Sequence, residues 1–258
     1  MNDMNKAKKS DFFKGLYQWE SKEYDVVLPI IYYDCSAISA VFTASTRLVK
    51  RHLPDGLYPV EMFPGRCLVT VSGFEYRNSD IGAYNEFSVA AVVKRKRTLP
   101  LLPVMAAMVS NSFEVFIIKL PVTSERARRG RVELGGYPKF LADIEFKKSG
   151  NMTECRLSHG KNGIVVMKGK NLKTSGFRKI RYGLYTSLGG CLIKSNLFLN
   201  PKQFAQSFRG SSASIEIGKN HEICDFLSGI RLGKKPVVYQ YIPSYEALLC
   251  GNKNIIDD

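Results

Sequence analysis

The stretch ELGGYPKFLA, residues 133–142, places a lysine at the start of an apolar run. Gly135 and Gly136 permit a close backbone approach or unusual dihedral angles, and Pro138 holds the residue before it in an extended conformation. Burial of Lys139 in this run disfavours its ammonium form and lowers its pKa. Because a neutral amine forms a Schiff base with a carbonyl substrate, Lys139 is a candidate nucleophile. The alternative is a strand-edge lysine whose amine reaches water.

Short runs rich in Val, Ile, Thr, Phe and Tyr lie on both sides of this stretch and are bounded by Gly, Asn, Asp or Pro. Such runs predict antiparallel strands, several of them with alternating faces. The predicted strands are residues 36–43, 67–74, 86–93, 114–120, 141–146, 153–158, 163–168, 214–217 and 237–241. Two helices are predicted, one capped by Ser45 or Thr46 and running through Arg51, and one opened by Pro201 and running through Phe208.

This excess of strands over helices predicts a mainly β fold, an antiparallel or mixed closed β-barrel with a few short flanking helices. The interior of such a barrel can hold a small ligand. Neither an internal repeat nor a linker divides the chain. We therefore expect a flexible basic N-terminus over residues 1–16 and a single domain over residues 17–258.

The composition is that of a basic globular protein. The 258 residues carry 38 Lys+Arg against 23 Asp+Glu, a formal charge of +15, and 45% of them are apolar, which excludes disordered and collagen-like classes. The six cysteines are at least 26 residues apart, which indicates reduced thiols. The N-terminal residues lack the apolar run of a signal peptide, and the charge-free stretch Thr98–Phe113 is too short and too broken to span a bilayer. A soluble, cytoplasmic protein is therefore expected.

Sequence motifs for common cofactors are absent. The chain contains neither a phosphate-binding Gly-x-x-x-x-Gly-Lys-Ser/Thr loop, nor a dinucleotide-binding Gly-x-Gly-x-x-Gly turn, nor a zinc-binding His-Glu-x-x-His helix. Its three histidines, His52, His159 and His221, are isolated from one another in sequence. We therefore predict no cofactor and no metal centre.

The segment Glu133–Lys139 resembles the Schiff-base lysine motif of the acetoacetate decarboxylase family, which usually reads Glu-Leu-x-x-Tyr-Pro-Lys-Lys. Further segments resemble the family in the same order, and the resemblance covers residues 32–249: Arg47–Pro54, Gly82–Glu86, His159–Lys161 and Val237–Tyr241. It implies a cofactor-independent lyase that decarboxylates a β-keto acid, acetoacetate to acetone and carbon dioxide, and that forms a homo-oligomer. It also implies that Lys139 is the imine-forming lysine and Glu86 an active-site glutamate.

Three positions depart from the pattern of that family. Phe140 replaces a second lysine, Val71 falls where a second pocket glutamate is expected, and Cys35 falls where a pocket arginine is expected. Successive residues of a strand face opposite sides, so Phe140 need not share the pocket of Lys139. The loss of the arginine matters more, because a cation would position the substrate carboxylate through charge-assisted hydrogen bonds.

Two other functions remain open on the sequence alone. The same lysine in an altered pocket can run an aldol, dehydration or imine-hydrolysis reaction on another keto acid. A non-catalytic barrel could instead bind an acidic ligand, a membrane surface or nucleic acid through the basic run Lys94–Arg97 and a second cluster over residues 126–131, although solvated loops explain these charges more simply. The sequence also leaves open whether Thr98–Val109 forms a lid.

Overall fold

The computed structural model describes residues 10–21, 26–251 and 253–254. Its strands, in chain order, are β1 (Trp19–Ser21), β2 (Val26–Leu28), β3 (Ile30–Ser45), β4 (Tyr58–Pro59), β5 (Glu61–Phe63), β6 (Arg66–Ser79), β7 (Tyr84–Lys94), β8 (Ser112–Lys119), β9 (Asp143–Ser149), β10 (Met152–His159), β11 (Asn162–Lys170), β12 (Ile180–Leu188), β13 (Cys191–Ser207), β14 (Ala213–Ile217), β15 (Val238–Leu249) and β16 (Lys253–Asn254). Its helices are α1 (Thr46–Lys50), α2 (Leu102–Ser110), α3 (Glu125–Gly135) and α4 (Glu222–Gly229).

Seven strands, β3, β6, β7, β8, β12, β13 and β15, form a barrel that is closed by the pairing of β6 with β7. Neighbouring strands are antiparallel except for β8 and β12, which run parallel. The chain leaves the barrel after β8, forms α3 and strands β9 to β11, and returns to enter β12 in the same direction. The predicted mainly β fold with a closed, mixed barrel is confirmed.

Alternation along β7 separates the interior of the barrel from its outside. Glu86, Ser88 and Ala90 line the internal cavity. Phe87 and Val89 point to the outside of the barrel and belong to a second hydrophobic core, called the outer core here. Side chains in a strand point to opposite faces in turn, so this single strand contributes to both environments. The same period of two places Glu86 inside the barrel.

A second sheet covers the outer surface of the barrel. Its strand order is β14-β11-β10-β9, and its buried face contributes Leu157, Ile164 and Met167 to the same outer core as Phe42 and Phe87. Burying each such side chain stabilises the fold by roughly 1.5–3 kcal/mol relative to leaving it exposed. This outer core holds the barrel wall in place behind the strands that carry the internal cavity.

The nine predicted strands all overlap observed strands, but one of the two predicted helices is wrong. Helix α1 follows Ser45 as predicted and ends at Lys50. The segment from Pro201 to Phe208, predicted as a helix, continues strand β13 as far as Ser207. Pro201 lies where the register between β13 and β15 shifts, and a proline without an N–H is tolerated at such a bulge.

Helix α2 lies in the connection between β7 and β8, in the stretch Thr98–Val109 whose structure the sequence leaves open. Of the predicted flexible N-terminus, residues 1–9 lie outside the described residues. Residues 11–13 form a 3₁₀ turn in which Phe13 is buried against Ile31 and Leu248. Among the described residues, every helix is too short or too polar to cross a membrane.

Candidate active site

Lys139 lies in an extended segment between α3 and β9 that runs beside the end of β8. The N–H of Leu120 donates to the carbonyl oxygen of Pro138 at 3.2 Å, and the N–H of Val122 donates to that of Phe140 at 2.9 Å. These bonds fix the backbone on both sides of Lys139. Its side chain enters the barrel cavity, while the ring of Phe140 packs against the outer core.

Of the two glycines that precede the lysine, the structure gives a reason for Gly136. Its φ is +57°, a left-handed backbone conformation that residues other than glycine rarely adopt. A Cβ atom at this position would also overlap the carbonyl oxygen of Ser187 in β12. Glycine therefore lets the segment approach the barrel wall closely enough for Lys139 to reach the interior.

The amine of Lys139 forms a buried ion pair with Glu86. Its Nζ donates to Glu86 Oε2 at 3.1 Å and to the carbonyl oxygen of Ala127 in α3 at 3.2 Å. Only 4% of the Lys139 side chain and 10% of the Glu86 side chain are exposed to solvent. Two buried charges at this distance neutralise each other, and the loss of either would leave an uncompensated charge inside the barrel.

Three buried tyrosines lie near the Lys139–Glu86 pair, and one of them contacts the carboxylate. Tyr76 donates to Glu86 Oε1 at 3.4 Å, and the hydroxyls of Tyr32 and Tyr84 are 3.3 Å apart. The ring centroid of Tyr84 lies 5.7 Å from the Nζ of Lys139, within the range of a cation–π contact. Burial, and then the nearby charge of Glu86, hold the pKa of Tyr76 well above its usual value. At neutral pH this hydroxyl is therefore protonated and acts as a hydrogen-bond donor.

The internal cavity has a volume of about 190 Å³ and extends from the Lys139–Glu86 pair to helix α2. Its wall is formed largely by apolar side chains from the inner faces of the barrel strands. In the part of the chain that the structure describes, no arginine lines it. The cavity wall includes Ala37, Ser39, Val41, Leu68, Thr70, Ser72, Phe74, Ser88, Ala90, Val92, Phe113, Val115, Ile117, Leu184, Leu199 and Ile242.

Two further positions, Val71 and Cys35, are those where the sequence departs from the family pattern. Val71 is fully buried in the outer core and faces away from the cavity, whereas its neighbours Thr70 and Ser72 line the cavity. The ungapped count from Glu86 therefore ends on the wrong face of β6. Cys35 is fully buried beside Tyr245 in β15, and burial raises the pKa of its thiol well above the usual value.

The basic clusters are partly neutralised, and of their described residues only Lys94 lines the cavity. Lys94 donates to Glu114 Oε2 at 3.1 Å, and the guanidinium of Arg97 lies 5.5 Å from the ring centroid of Tyr58. Arg128 and Arg129 both form ion pairs with Glu125 on α3. Both basic clusters therefore contain residues that are engaged in local contacts.

The sequence analysis did not identify the tyrosines around Glu86 as site residues. Tyr84 occurs in the Gly82–Glu86 segment, two residues before Glu86 on β7, and its ring lies beside the amine of Lys139. Tyr76 faces Tyr84 directly in the register of β6 with β7. The alternation in β7 was a signal for Tyr84, whereas the position of Tyr76 depends on a register that the sequence does not specify.

The fold and the site together are those of a closed β-barrel protein with a buried amine and a buried carboxylate at one end of its internal cavity. The family model for acetoacetate decarboxylase matches residues 17–175, more than half of the chain. The chain belongs to the acetoacetate decarboxylase family. No curated protein matches it.

Solved structures share the fold over nearly the whole chain. Acetoacetate decarboxylase from Legionella pneumophila subsp. pneumophila str. Philadelphia 1 is 15% identical with a TM-score of 0.69, covering 98% of this chain and 95% of that one. The enduracididine biosynthesis enzyme MppR in complex with pyruvate is 12% identical with a TM-score of 0.65, covering 96% and 95%. An acetoacetate decarboxylase-like enzyme from Sphingomonas wittichii RW1 is 12% identical with a TM-score of 0.56, covering 88% and 93%.

Proposed function

We propose that this protein is a cofactor-independent lyase that decarboxylates a β-keto acid through a Schiff base on Lys139, with acetoacetate as the reference substrate. The observation that carries the proposal is the buried contact between Lys139 Nζ and Glu86 Oε2 at 3.1 Å inside an otherwise largely apolar cavity. Membership of the acetoacetate decarboxylase family supports the same reaction class. A cytoplasmic location and a homo-oligomeric assembly are part of the proposal.

The reaction begins with proton transfer from the Lys139 ammonium to Glu86, whose carboxylate is within general-base distance. The neutral amine attacks the ketone carbon, Glu86 returns its proton to the carbinolamine hydroxyl, and loss of that hydroxyl as water gives a protonated imine. The bond between the α-carbon and the carboxylate then breaks, its electron pair moves toward the imine nitrogen, and carbon dioxide leaves. Protonation of the enamine carbon and hydrolysis of the imine release the ketone and restore the amine.

Tyrosine hydroxyls are the groups we assign to orient the substrate. A family arginine would hold the carboxylate strongly, and such a contact is missing from the described cavity wall. A neutral hydroxyl such as that of Tyr76 donates a weaker hydrogen bond, which positions the carboxylate without offsetting its negative charge. Weak stabilisation of the carboxylate in a largely apolar cavity favours its departure as neutral carbon dioxide.

A second candidate reaction is a condensation of a keto acid through the same lysine. MppR has been crystallised with pyruvate and with the condensation product of pyruvate and imidazole 4-carboxaldehyde. The absence of an arginine from the described cavity wall favours a substrate other than acetoacetate. In that case Lys139 would still form an imine, but the enamine would attack an aldehyde.

The test follows carbon dioxide release from acetoacetate by the full chain, with product analysis in parallel. Decarboxylation predicts release well above the spontaneous rate, and Lys139→Ala should return it to that rate. Glu86→Gln should reduce kcat by about 10²- to 10⁴-fold if Glu86 moves the proton. Imine formation and turnover of pyruvate with an aldehyde, without carbon dioxide release, would instead establish the condensation.

A further inference from the structure

The cavity extends well beyond the space that a small keto acid needs at Lys139. From Glu86, its wall continues along the inner face of β7 through Ser88 and Ala90 to Val92. Six residue steps in a strand cover roughly 20 Å. With the usual tilt of barrel strands, this corresponds to roughly 15 Å along the barrel axis. The reacting keto and carboxylate groups occupy one end of this length.

Small side chains keep the middle of the barrel open. Ala37 and Ser39 on β3, Ser72 on β6, and Ser88 and Ala90 on β7 all line the cavity. Barrels of about eight strands are just wide enough for side chains to fill. Small residues on three adjacent strands therefore leave a continuous space where larger aliphatic residues would close the interior.

The two ends of the cavity differ in polarity and in access to solvent. At the Lys139 end, Glu86, Tyr76 and Tyr84 are buried. At the other end the wall includes Met108 of α2, which is 41% exposed, and Phe208, which follows β13 and is 58% exposed. The reactive end is thus closed and polar, and the end beside α2 is open and mainly apolar, with the Lys94–Glu114 ion pair in its wall.

The wall at the open end is suited to a hydrocarbon group. It consists mainly of apolar side chains from the strands and from α2, among them Val92, Val104, Ala107, Phe113 and Val115, and its charged part is the Lys94–Glu114 ion pair, in which the two charges neutralise each other. An apolar chain entering this space would be removed from water along its length, at about 25 cal/mol for each Å² of its surface. A substrate as short as acetoacetate would leave this part of the cavity without an occupant.

We propose that the substrate is a β-keto acid with an aliphatic tail, and that the tail runs from Lys139 toward α2. This inference rests on the proposed Schiff-base decarboxylation. In such an acid the tail and the carboxymethyl group leave the ketone carbon in opposite directions. With the ketone carbon at Lys139, the carboxylate lies among the buried tyrosines and the tail lies in the apolar channel. The products are carbon dioxide and a methyl ketone, and the proton gained by the methyl carbon balances the reaction.

A series of substrates of increasing length tests the proposal. The wild-type chain is assayed with acetoacetate, 3-oxohexanoate, 3-oxooctanoate and 3-oxodecanoate, each corrected for spontaneous decarboxylation. Burial of each added methylene should raise kcat/KM by about fourfold until the channel is full. From acetoacetate to 3-oxooctanoate we expect an increase of at least about tenfold. Equal kcat/KM values across the series would overturn the proposal.

Ala90→Phe tests whether the tail occupies the channel. Ala90 lies halfway along the inner face of β7, so a ring there would block the path toward α2. The ratio of kcat/KM for 3-oxooctanoate to that for acetoacetate should fall at least tenfold. Ala106→Phe, on the solvent-exposed face of α2, is the matched control and should leave the ratio unchanged. Ala90→Leu serves if the phenylalanine variant does not fold.

Two further measurements separate failure of this inference from failure of the proposed function. Calorimetric titration with octanoate and butyrate measures tail binding without catalysis, and octanoate should bind at least tenfold more tightly. Borohydride trapping with acetoacetate reports the imine independently of chain length. An adduct on Lys139, without a preference for longer acids, would refute the proposal of an aliphatic tail and leave the proposed Schiff-base function standing. No adduct with acetoacetate or with any of the longer 3-oxo acids would refute both the aliphatic tail and the proposed Schiff-base enzyme.

Discussion

At position 139 a primary amine lies inside the barrel, within 3.1 Å of a carboxylate and 3.2 Å of a backbone carbonyl. Burial disfavours the ammonium form of this amine, whereas the negative charge of Glu86 favours it, so the two effects oppose each other. The hydroxyl of Tyr76 donates to Glu86, and burial keeps its own proton in place at neutral pH. The chemistry of the site therefore depends on how readily Glu86 accepts the proton of Lys139.

Glu86→Gln should lower the pKa of Lys139. Removing an opposite charge in direct contact removes the effect that favours the ammonium, and such contacts shift pKa values by about one to three units. The measurement is the pH dependence of Lys139 modification by an amine reagent, quantified by peptide mass. Glu216→Gln, at an exposed pair with Lys168, is the control and should leave the midpoint in place. An unchanged or higher midpoint in Glu86→Gln would mean that the carboxylate does not stabilise the ammonium.

At the level of the elements, the site depends on a non-strand segment held between β8 and β12. Its hydrogen bonds to Leu120 and Val122 and its close approach at Gly136 orient Lys139 inward and Phe140 outward. The family's second lysine position thus belongs to the outer core of this chain. Alternation along the segment is what separates a reactive position from a packing position.

Gly136→Ala should reduce both stability and activity, whereas Gly160→Ala should reduce stability slightly and leave activity unchanged. Both glycines have φ values near +58°, at +57° and +59°, and a side chain there costs about 1–2 kcal/mol. Only Gly136 would also force its new Cβ against the carbonyl of Ser187, while Gly160 faces open space. Thermal unfolding and the initial rate of decarboxylation measure the two effects. Equal rates for the two variants would show that the approach at Gly136 does not position Lys139.

The sequence predicted nine of the described strands, because period-two patterns are short-range signals, and the resemblance to the family motif singled out Lys139 and Glu86. It missed the barrel strands β12 and β13. It mispredicted the segment after Pro201, since a proline is as compatible with a bulge in a strand as with the first turn of a helix. It also missed Tyr76 as a site residue. The meeting of Tyr76 with Tyr84 requires the register of β6 with β7, which tertiary packing determines.

For the whole molecule, closure of the barrel brings charges from distant parts of the chain together. Glu114 on β8 accepts hydrogen bonds from Lys94 on β7 at 3.1 Å, from Lys194 on β13 at 2.6 Å and from Tyr185 on β12 at 3.2 Å. One carboxylate thus connects four strands of the ring. Burial acts to raise its pKa, but the hydrogen bonds from the two lysines outweigh burial and hold the pKa below its usual value.

The barrel should therefore lose stability in acid in a way that depends on Glu114. A folded-state pKa below the unfolded value of about 4.5 gives stability that is fully present above that pH and is lost as the pH falls through the folded pKa. Thermal unfolding between pH 3 and pH 7 should show this loss. Glu114→Gln should have a lower midpoint at pH 7 and a flatter dependence below pH 4.5. A Glu114→Gln variant whose unfolding midpoint depends on pH as steeply as that of the wild type would contradict the role of Glu114 in the loss of stability in acid.

The most direct test of the account is the mass of the intact protein after borohydride reduction in the presence of acetoacetate, followed by peptide mapping. We expect a single reduced adduct on Lys139 in the wild-type chain, and none in Lys139→Ala. The amine of Lys139 and its partner carboxylate lie buried at the cavity, with only 4% and 10% of their side chains exposed, so the exposed surface lysines should not compete. An adduct on other lysines but not on Lys139, or none at all in the folded protein, would contradict Schiff-base chemistry at this site.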